Sequence, residues 1–301
     1  MSDPTPLFDD AQALLQQAAG QEGAPRRRAV VQAGVGLGFA AATLPVAAQT
    51  VVHTPAQGLT AGLVQIPVGD FQMPAYRAMP QGGGAHPVVL VISEIFGVHE
   101  HIADVARRFA HLGYCAIAPD LFKRQGNPAA YTDIAALMSE LVYKVPDAQV
   151  MGDLDATVAW AKAQGQDTAR LGITGFCWGG RITWLFAEHS PAVRAAVAWY
   201  GRLTGGVNLL QPRHPLDLVG DLKAPVLGLY GGQDTGIPLD TVETMKKALA
   251  QGNAAARASR FVVYPDAPHA FHADYRPSYR RADAEDGWGR CLAWFKDHGV
   301  V

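Results

Sequence analysis

Only three cysteines, Cys115, Cys177 and Cys291, occur among 301 residues. So small and odd a number forms no disulfide framework, and the fold must rest on a packed core. Charge of one sign is not in excess either, since 25 Lys and Arg against 27 Asp and Glu leave a formal net charge of −2. That balance offers no electrostatic footprint for a nucleic acid or an anionic membrane surface, and neither is expected as a partner. A run of about twenty strongly apolar residues is missing, so no stable membrane span is expected. Internal repeats and long low-complexity tracts are absent too. What is present, 49% hydrophobic and 17% charged residues, is enough chain for one large core of the α/β type.

The first 48 residues read as a leader, and residues 49–301 as a single domain. The leader has an acidic start, then Pro25-Arg26-Arg27-Arg28, the mildly apolar run AVVQAGVGLGFAAATL, and the small-residue site Pro45-Val46-Ala47-Ala48. This is the three-part layout of an export signal, and the adjacent arginines resemble the twin-arginine type. Val30 and Val31 stand where that type usually has a Phe-Leu pair. The expectation is an exported, periplasmic protein that meets the twin-arginine machinery during targeting. If the segment is an uncleaved tail, the protein is cytoplasmic. In an oxidising compartment a leftover thiol is either reactive or buried. Cys115 and Cys291 lie in apolar settings and read as core, with a bridge between them left open.

From about residue 60, strand-like and helix-like blocks alternate. Leu63–Val68 and Met73–Ala78 read as an antiparallel pair, and Val88–Ser93 as a strand buried on both faces. A helix His101–His111, a strand Tyr114–Ala118 and a long helical stretch ending near Lys162 follow. Then come strand Arg170–Thr174, a helix, strands Arg194–Tyr200 and Val226–Tyr230, a helix Leu239–Ala250 and strand Arg260–Tyr264. Trp288–His298 closes the chain as a helix. Such alternation predicts a mostly parallel sheet flanked by helices on both faces, with functional residues at the carboxyl ends of the strands.

One such end is Gly175-Phe176-Cys177-Trp178-Gly179-Gly180. G-x-C-x-G at a strand-to-helix junction is the thiol counterpart of the G-x-S-x-G nucleophile elbow. The helix that follows aims its N–H groups and positive dipole end at a thiolate or oxyanion. A buried core cysteine in a Gly-rich turn is the plainer reading of the motif taken alone. Gly231-Gly232-Gln233-Asp234 follows strand Val226–Tyr230, and Pro268-His269-Ala270-Phe271 follows strand Arg260–Tyr264. Each alone is weak, since an Asp in such a turn is often only a cap. Their order, Cys177, Asp234, His269, is the chain order of the α/β-hydrolases.

With these blocks, Ser93-Glu94-Ile95-Phe96-Gly97-Val98, Gly152-Asp153-Leu154-Asp155-Ala156 and Trp199-Tyr200-Gly201, the chain resembles the dienelactone hydrolases (carboxymethylenebutenolidases). These form an α/β-hydrolase branch with a cysteine nucleophile. The resemblance implies a hydrolase that opens a lactone or carboxylic ester through Cys177, His269 and Asp234. It also implies that Glu94 contacts the resting thiol and helps ionise it when substrate enters. Backbone N–H groups of Ile95 and Trp178 would hold the oxyanion. No metal or organic cofactor is called for, and the His99-Glu100-His101 run reads as a helix cap. The partner is a small-molecule ester or lactone, and the chain is expected to be a monomer.

The sequence departs from the family at the substrate's carboxylate. The family's type members hold it with two arginines, one four residues after the catalytic histidine. Ala273 stands there, and no arginine lies between Arg124 and Arg170. Arg276, Arg202 or Lys144 could substitute, and Tyr131 and Tyr143 could line the pocket. A broader esterase or thioesterase, and a binding protein without catalysis on the same fold, are the alternatives.

Overall fold

In the computed structural model, which describes residues 51–301, the chain enters its sheet through a hairpin. The leader and its cut site lie outside the described residues. Strands β1 (Leu59–Val68) and β2 (Phe71–Pro80) pair antiparallel, with Val68 opposite Phe71 across a two-residue turn. Gly69 supplies the positive φ, 57°, that such a turn requires. β2 then pairs antiparallel with β4 (Cys115–Pro119), which runs parallel to β3 (Pro87–Ile92).

From there the sheet is parallel through β5 (Asp167–Phe176), β6 (Val193–Trp199), β7 (Val226–Gly231) and β8 (Arg260–Tyr264). The order is β1-β2-β4-β3-β5-β6-β7-β8. Every residue of β3 and of β7 is buried. That is why these strands read as unbroken apolar runs without alternation.

Helices cover both faces. On one lie α1 (Glu100–His111) and the last helix, Arg281–Asp297, which meet where Phe109 packs on Trp288 with ring centroids 4.5 Å apart. Between these two in sequence, α2 (Ile134–Glu140), α3 (Asp147–Ala163), α4 (Trp178–His189), α5 (Leu239–Gln251) and the short α6 (Ala254–Ala258) follow in turn, making the last helix α7. The stretch expected as one long helix is broken into α2, a 3-10 turn (Val142–Lys144) and α3, which Pro146 starts as its N-cap. α3 and α4 are tied together by Arg181, almost fully buried, whose two terminal nitrogens each donate to an Asp147 oxygen at 2.7 Å. A planar fork on a carboxylate fixes relative position as well as charge, and so anchors the helix that follows Cys177.

Cys115 and Cys291 are free and buried. Burial pushes the Cys115 thiol up to about 12, and Cys291 higher still. The bridge left open by the sequence is not formed. Among the described residues, no helix is long and apolar enough to cross a membrane.

Candidate active site

Cys177 sits between β5 and α4 with φ 55° and ψ −115°. A non-glycine residue there carries roughly 1–3 kcal/mol of strain, held in place by the packing around it. The Cys177 N–H donates to the Trp199 carbonyl at 3.0 Å. A Cβ added at Gly175 would stand 2.3 Å from the Gly179 carbonyl oxygen, and one at Gly179 2.4 Å from that of Ile92. Any side chain at either position would push backbone apart, so the glycines are what let α4 begin against the ends of β3 and β5.

The loops after β7 and β8 are zipped together. Gly232 N–H donates to the Tyr264 carbonyl at 2.7 Å and Gln233 N–H to that of Ala267 at 3.0 Å. A Cβ at Gly231 would meet the Ala267 oxygen at 2.3 Å, so only glycine allows this approach. The junction delivers Asp234 to His269, with Oδ2 2.7 Å from Nδ1 and both side chains sealed from solvent. Asp234 Oδ1 meanwhile accepts the N–H groups of Gly236 and Ile237 at 3.0 and 3.1 Å. One oxygen of Asp234 thus caps the turn while the other meets the histidine.

Burial alone would favour neutral His269. The Asp234 carboxylate, and after it the Cys177 sulfur, outweigh burial and hold its pKa well above the ordinary value. The sulfur thus lies close enough to act on the imidazole as a charge.

Glu94, at the end of β3, is 2% exposed. The Tyr275 hydroxyl donates to its Oε2, and Arg276 Nε donates to the Tyr275 oxygen at 3.2 Å. The arginine therefore reaches this buried acid through a tyrosine. Arg276 lies over the Phe96 ring, 4.6 Å from its centroid, and its Nη2 is buried with no hydrogen-bond partner among the described residues. Burial works against its charge, but Tyr275, Glu94 and Cys177 more than compensate, and the guanidinium stays cationic. Ile95 and Trp178 are buried on either side of the elbow, and no backbone carbonyl among the described residues takes their N–H groups.

The other candidates lie in loops and short turns. Arg202 is buried beside His214, whose pKa burial lowers first and the nearby arginines further. Tyr143 is half-buried in a 3-10 turn, Val142–Lys144, and Lys144 is exposed. Tyr131 closes the 3-10 turn Pro128–Ala130. Arg124 is spent on Asp153. His99 does occupy the N-cap of α1, but its side chain makes no cap bond, contrary to the expectation. Its ring stands edge-on to Tyr275 at 5.0 Å.

Two residues went unassigned in the sequence. Tyr275 adjoins Arg276 but offers no motif of its own. Tyr200, at φ 38°, packs on His269 with centroids 5.1 Å apart. Its buried hydroxyl has no hydrogen-bond partner among the described residues. Burial, then the charges of Glu94, Tyr275 and Cys177, raises that phenol well above its usual pKa.

Known proteins match the chain over most of its length. The sequence profile of the Dienelactone hydrolase family matches residues 73–299. A Methylorubrum extorquens protein provisionally named carboxymethylenebutenolidase is 61% identical over 91% of this chain and 94% of its own. A Bradyrhizobium protein provisionally named 2-oxo-3-(5-oxofuran-2-ylidene)propanoate lactonase is 32% identical over 74% of this chain and 89% of its own. Among solved structures, a provisionally named dienelactone hydrolase of Klebsiella pneumoniae superposes with TM-score 0.77 at 57% identity. The match covers 79% of this chain and 98% of that one. The mostly parallel sheet flanked by helices is the α/β-hydrolase fold.

Proposed function

The chain belongs to the dienelactone hydrolase family, and from that premise we propose that it opens a carboxylate-bearing lactone by acyl transfer to Cys177. The observation that carries the reading is the strained Cys177 elbow facing a buried His269 whose other nitrogen is held by Asp234 at 2.7 Å. The thiolate attacks the ring carbonyl, forming a C–S bond. The oxyanion is received by the N–H groups of Ile95 and Trp178 at the positive end of α4. His269 gives its proton to the departing ring oxygen, then takes one from water as that water cleaves the thioester. Glu94 opposes ionisation of the thiol until substrate fills the site.

The acid group of the substrate is assigned to Arg276. Its buried, unbonded Nη2 is a donor waiting for an acceptor, and burial of such a group without a partner is costly. The Bradyrhizobium relative's name, which describes a lactone bearing a propanoate, supports the same class. Arg276→Met should lower the ratio of kcat/KM for an acidic lactone over its neutral methyl ester by about 10- to 100-fold, the worth of one charged hydrogen bond. Rates on a panel of paired acidic and neutral lactones and p-nitrophenyl esters test it. Equal wild-type rates on both members of each pair would turn the assignment to a broad esterase.

The enzyme is further assigned to export through its first 48 residues. The aligned part of the Methylorubrum relative covers 91% of this chain and so reaches into residues 1–50, which supports a shared leader. Fractionation of cells expressing the full chain should find activity in the periplasm, and Arg26→Lys with Arg27→Lys should retain it inside. Periplasmic activity unaffected by that pair would overturn the twin-arginine assignment.

A further inference from the structure

Ahead of β1, residues 52–55 cross α1 with no helix or strand of their own. The crossing is fastened mainly to charged groups. Val52 N–H donates to Asp274 Oδ2 at 2.8 Å. Thr54 donates its N–H and its hydroxyl to Asp104, at 2.5 and 3.2 Å. Arg107 Nε returns a bond to the Thr54 carbonyl at 2.7 Å, and His111 Nε2 lies 2.8 Å from the Pro55 carbonyl oxygen. Asp104 and Asp274 are both buried. A strap bonded to buried carboxylates is hard to peel away, because each would be left without a donor.

Asp274 is the joint between this strap and the active site. Its Oδ1 stands 2.7 Å from His101 Nδ1, and both side chains are 1% exposed. Arg108 adds a longer contact to Oδ2 at 3.4 Å. The His101 ring in turn packs on Tyr275, 5.3 Å between centroids. Tyr275 is the next residue along the chain and donates to Glu94. Its ring is also flanked by His99 and Arg276. The path from Val52 to Glu94 is therefore continuous: strap, Asp274, His101, Tyr275, Glu94. This second buried Asp–His pair has no part in the acyl-transfer steps described above.

We propose that Asp274, held by the strap at one oxygen and by His101 at the other, is a positioning residue that sets where Tyr275 holds Glu94 relative to Cys177. The proposal rests on the reading in which Cys177 and Glu94 act together in ester cleavage. A displacement of one ångström at a reacting group can cost about a hundredfold in rate, even when its origin is distant. A smaller shift of Glu94 from a loosened joint should cost correspondingly less.

Three variants of the full chain separate positioning from stability. Asp274→Asn keeps the shape and removes the charge. Val52→Pro removes the strap's N–H donor to Asp274 in a segment without helix or strand. Thr54→Ala weakens the same strap at Asp104, away from Tyr275. Each is compared with wild type well below its Tm, by kcat and KM on a neutral p-nitrophenyl ester and by the iodoacetamide alkylation rate of Cys177. Asp274→Asn should lower kcat about tenfold with KM within about twofold, and change the alkylation rate by a similar factor. Val52→Pro should move both in the same direction, and Thr54→Ala should leave both at wild-type values.

Wild-type kcat and alkylation in Asp274→Asn would overturn the proposal. So would losses in Thr54→Ala equal to those in Val52→Pro, which would make the strap a matter of stability alone. Should Asp274→Asn not fold, Val52→Pro and Thr54→Ala decide between these outcomes. Alkylation needs no ester, so a wrong substrate class fails in the turnover assay while the alkylation comparison still judges Asp274.

Discussion

Cys177→Ala should abolish hydrolysis of every lactone and ester that the wild type accepts, lowering kcat by about six orders of magnitude. The loss is large because nucleophile, base and orienter act as one unit, and His269 without a sulfur has nothing to activate but water. Neither remaining thiol can take over. Cys115 and Cys291 are buried in the core, and burial holds both protonated far above neutral pH. The substitution should leave the fold intact, since alanine is smaller and meets the positive φ at a cost similar to that of cysteine. Steady-state kinetics measure the loss. Mass spectrometry after rapid quenching should find one acyl group on the wild type and none on the variant. Retained turnover in Cys177→Ala would end the thiol mechanism.

Asp234→Asn should be the next most damaging single change, lowering kcat by about ten-thousandfold while the chain stays folded. The amide oxygen can still accept the Gly236 and Ile237 N–H groups, so the turn survives. The amide nitrogen, placed where Oδ2 was, donates and cannot accept from His269 Nδ1. The imidazole is then driven toward the other tautomer, which presents a proton to Cys177 where an acceptor is needed. The sign of the pH effect follows from the same contact. Asp234 is the leading influence that raises His269 against its burial, so its removal lets His269 lose its proton at lower pH. With the imidazolium gone at neutral pH, the neighbouring sulfur loses a stabilising charge. Alkylation of Cys177 by iodoacetamide should therefore rise with pH later in Asp234→Asn than in the wild type. Coincident alkylation profiles would refute this role of Asp234.

Much of the framework can be read from the chain because its signals are local. The strand expected at Arg260–Tyr264 is β8 to the residue, and the elbow lies where its glycines put it. The last helix was harder. It begins at Arg281, well before the expected Trp288, because its first turns bury Ala284 and Gly287 rather than large apolar residues. Gly287 lies so close to the Trp199 ring that a Cβ would come within 2.6 Å of it, and a small residue gives little periodic signal.

The parts of the site that could not be read depend on loop paths. Tyr275 meets Glu94 across 181 positions of sequence, and no spacing rule announces such a pair. His99 has the position of a helix cap without the bond, because its ring packs against Tyr275 instead. Arg276 could be named as a substitute for the family's arginine. Its unbonded nitrogen became visible only once Phe96 and Tyr275 had been folded around it.

β5 lies inside the sheet with neighbours on both sides, whereas β8 is its last strand and begins exposed at Arg260. The nucleophile thus follows an interior strand and the base follows an edge strand of one sheet. A chain that has assembled everything except this margin already possesses Cys177, strained and in place, yet has no base to use it. The base thus depends on the docking of a peripheral strand, and a molecule in which that strand is displaced would carry a sulfur that is positioned but not armed.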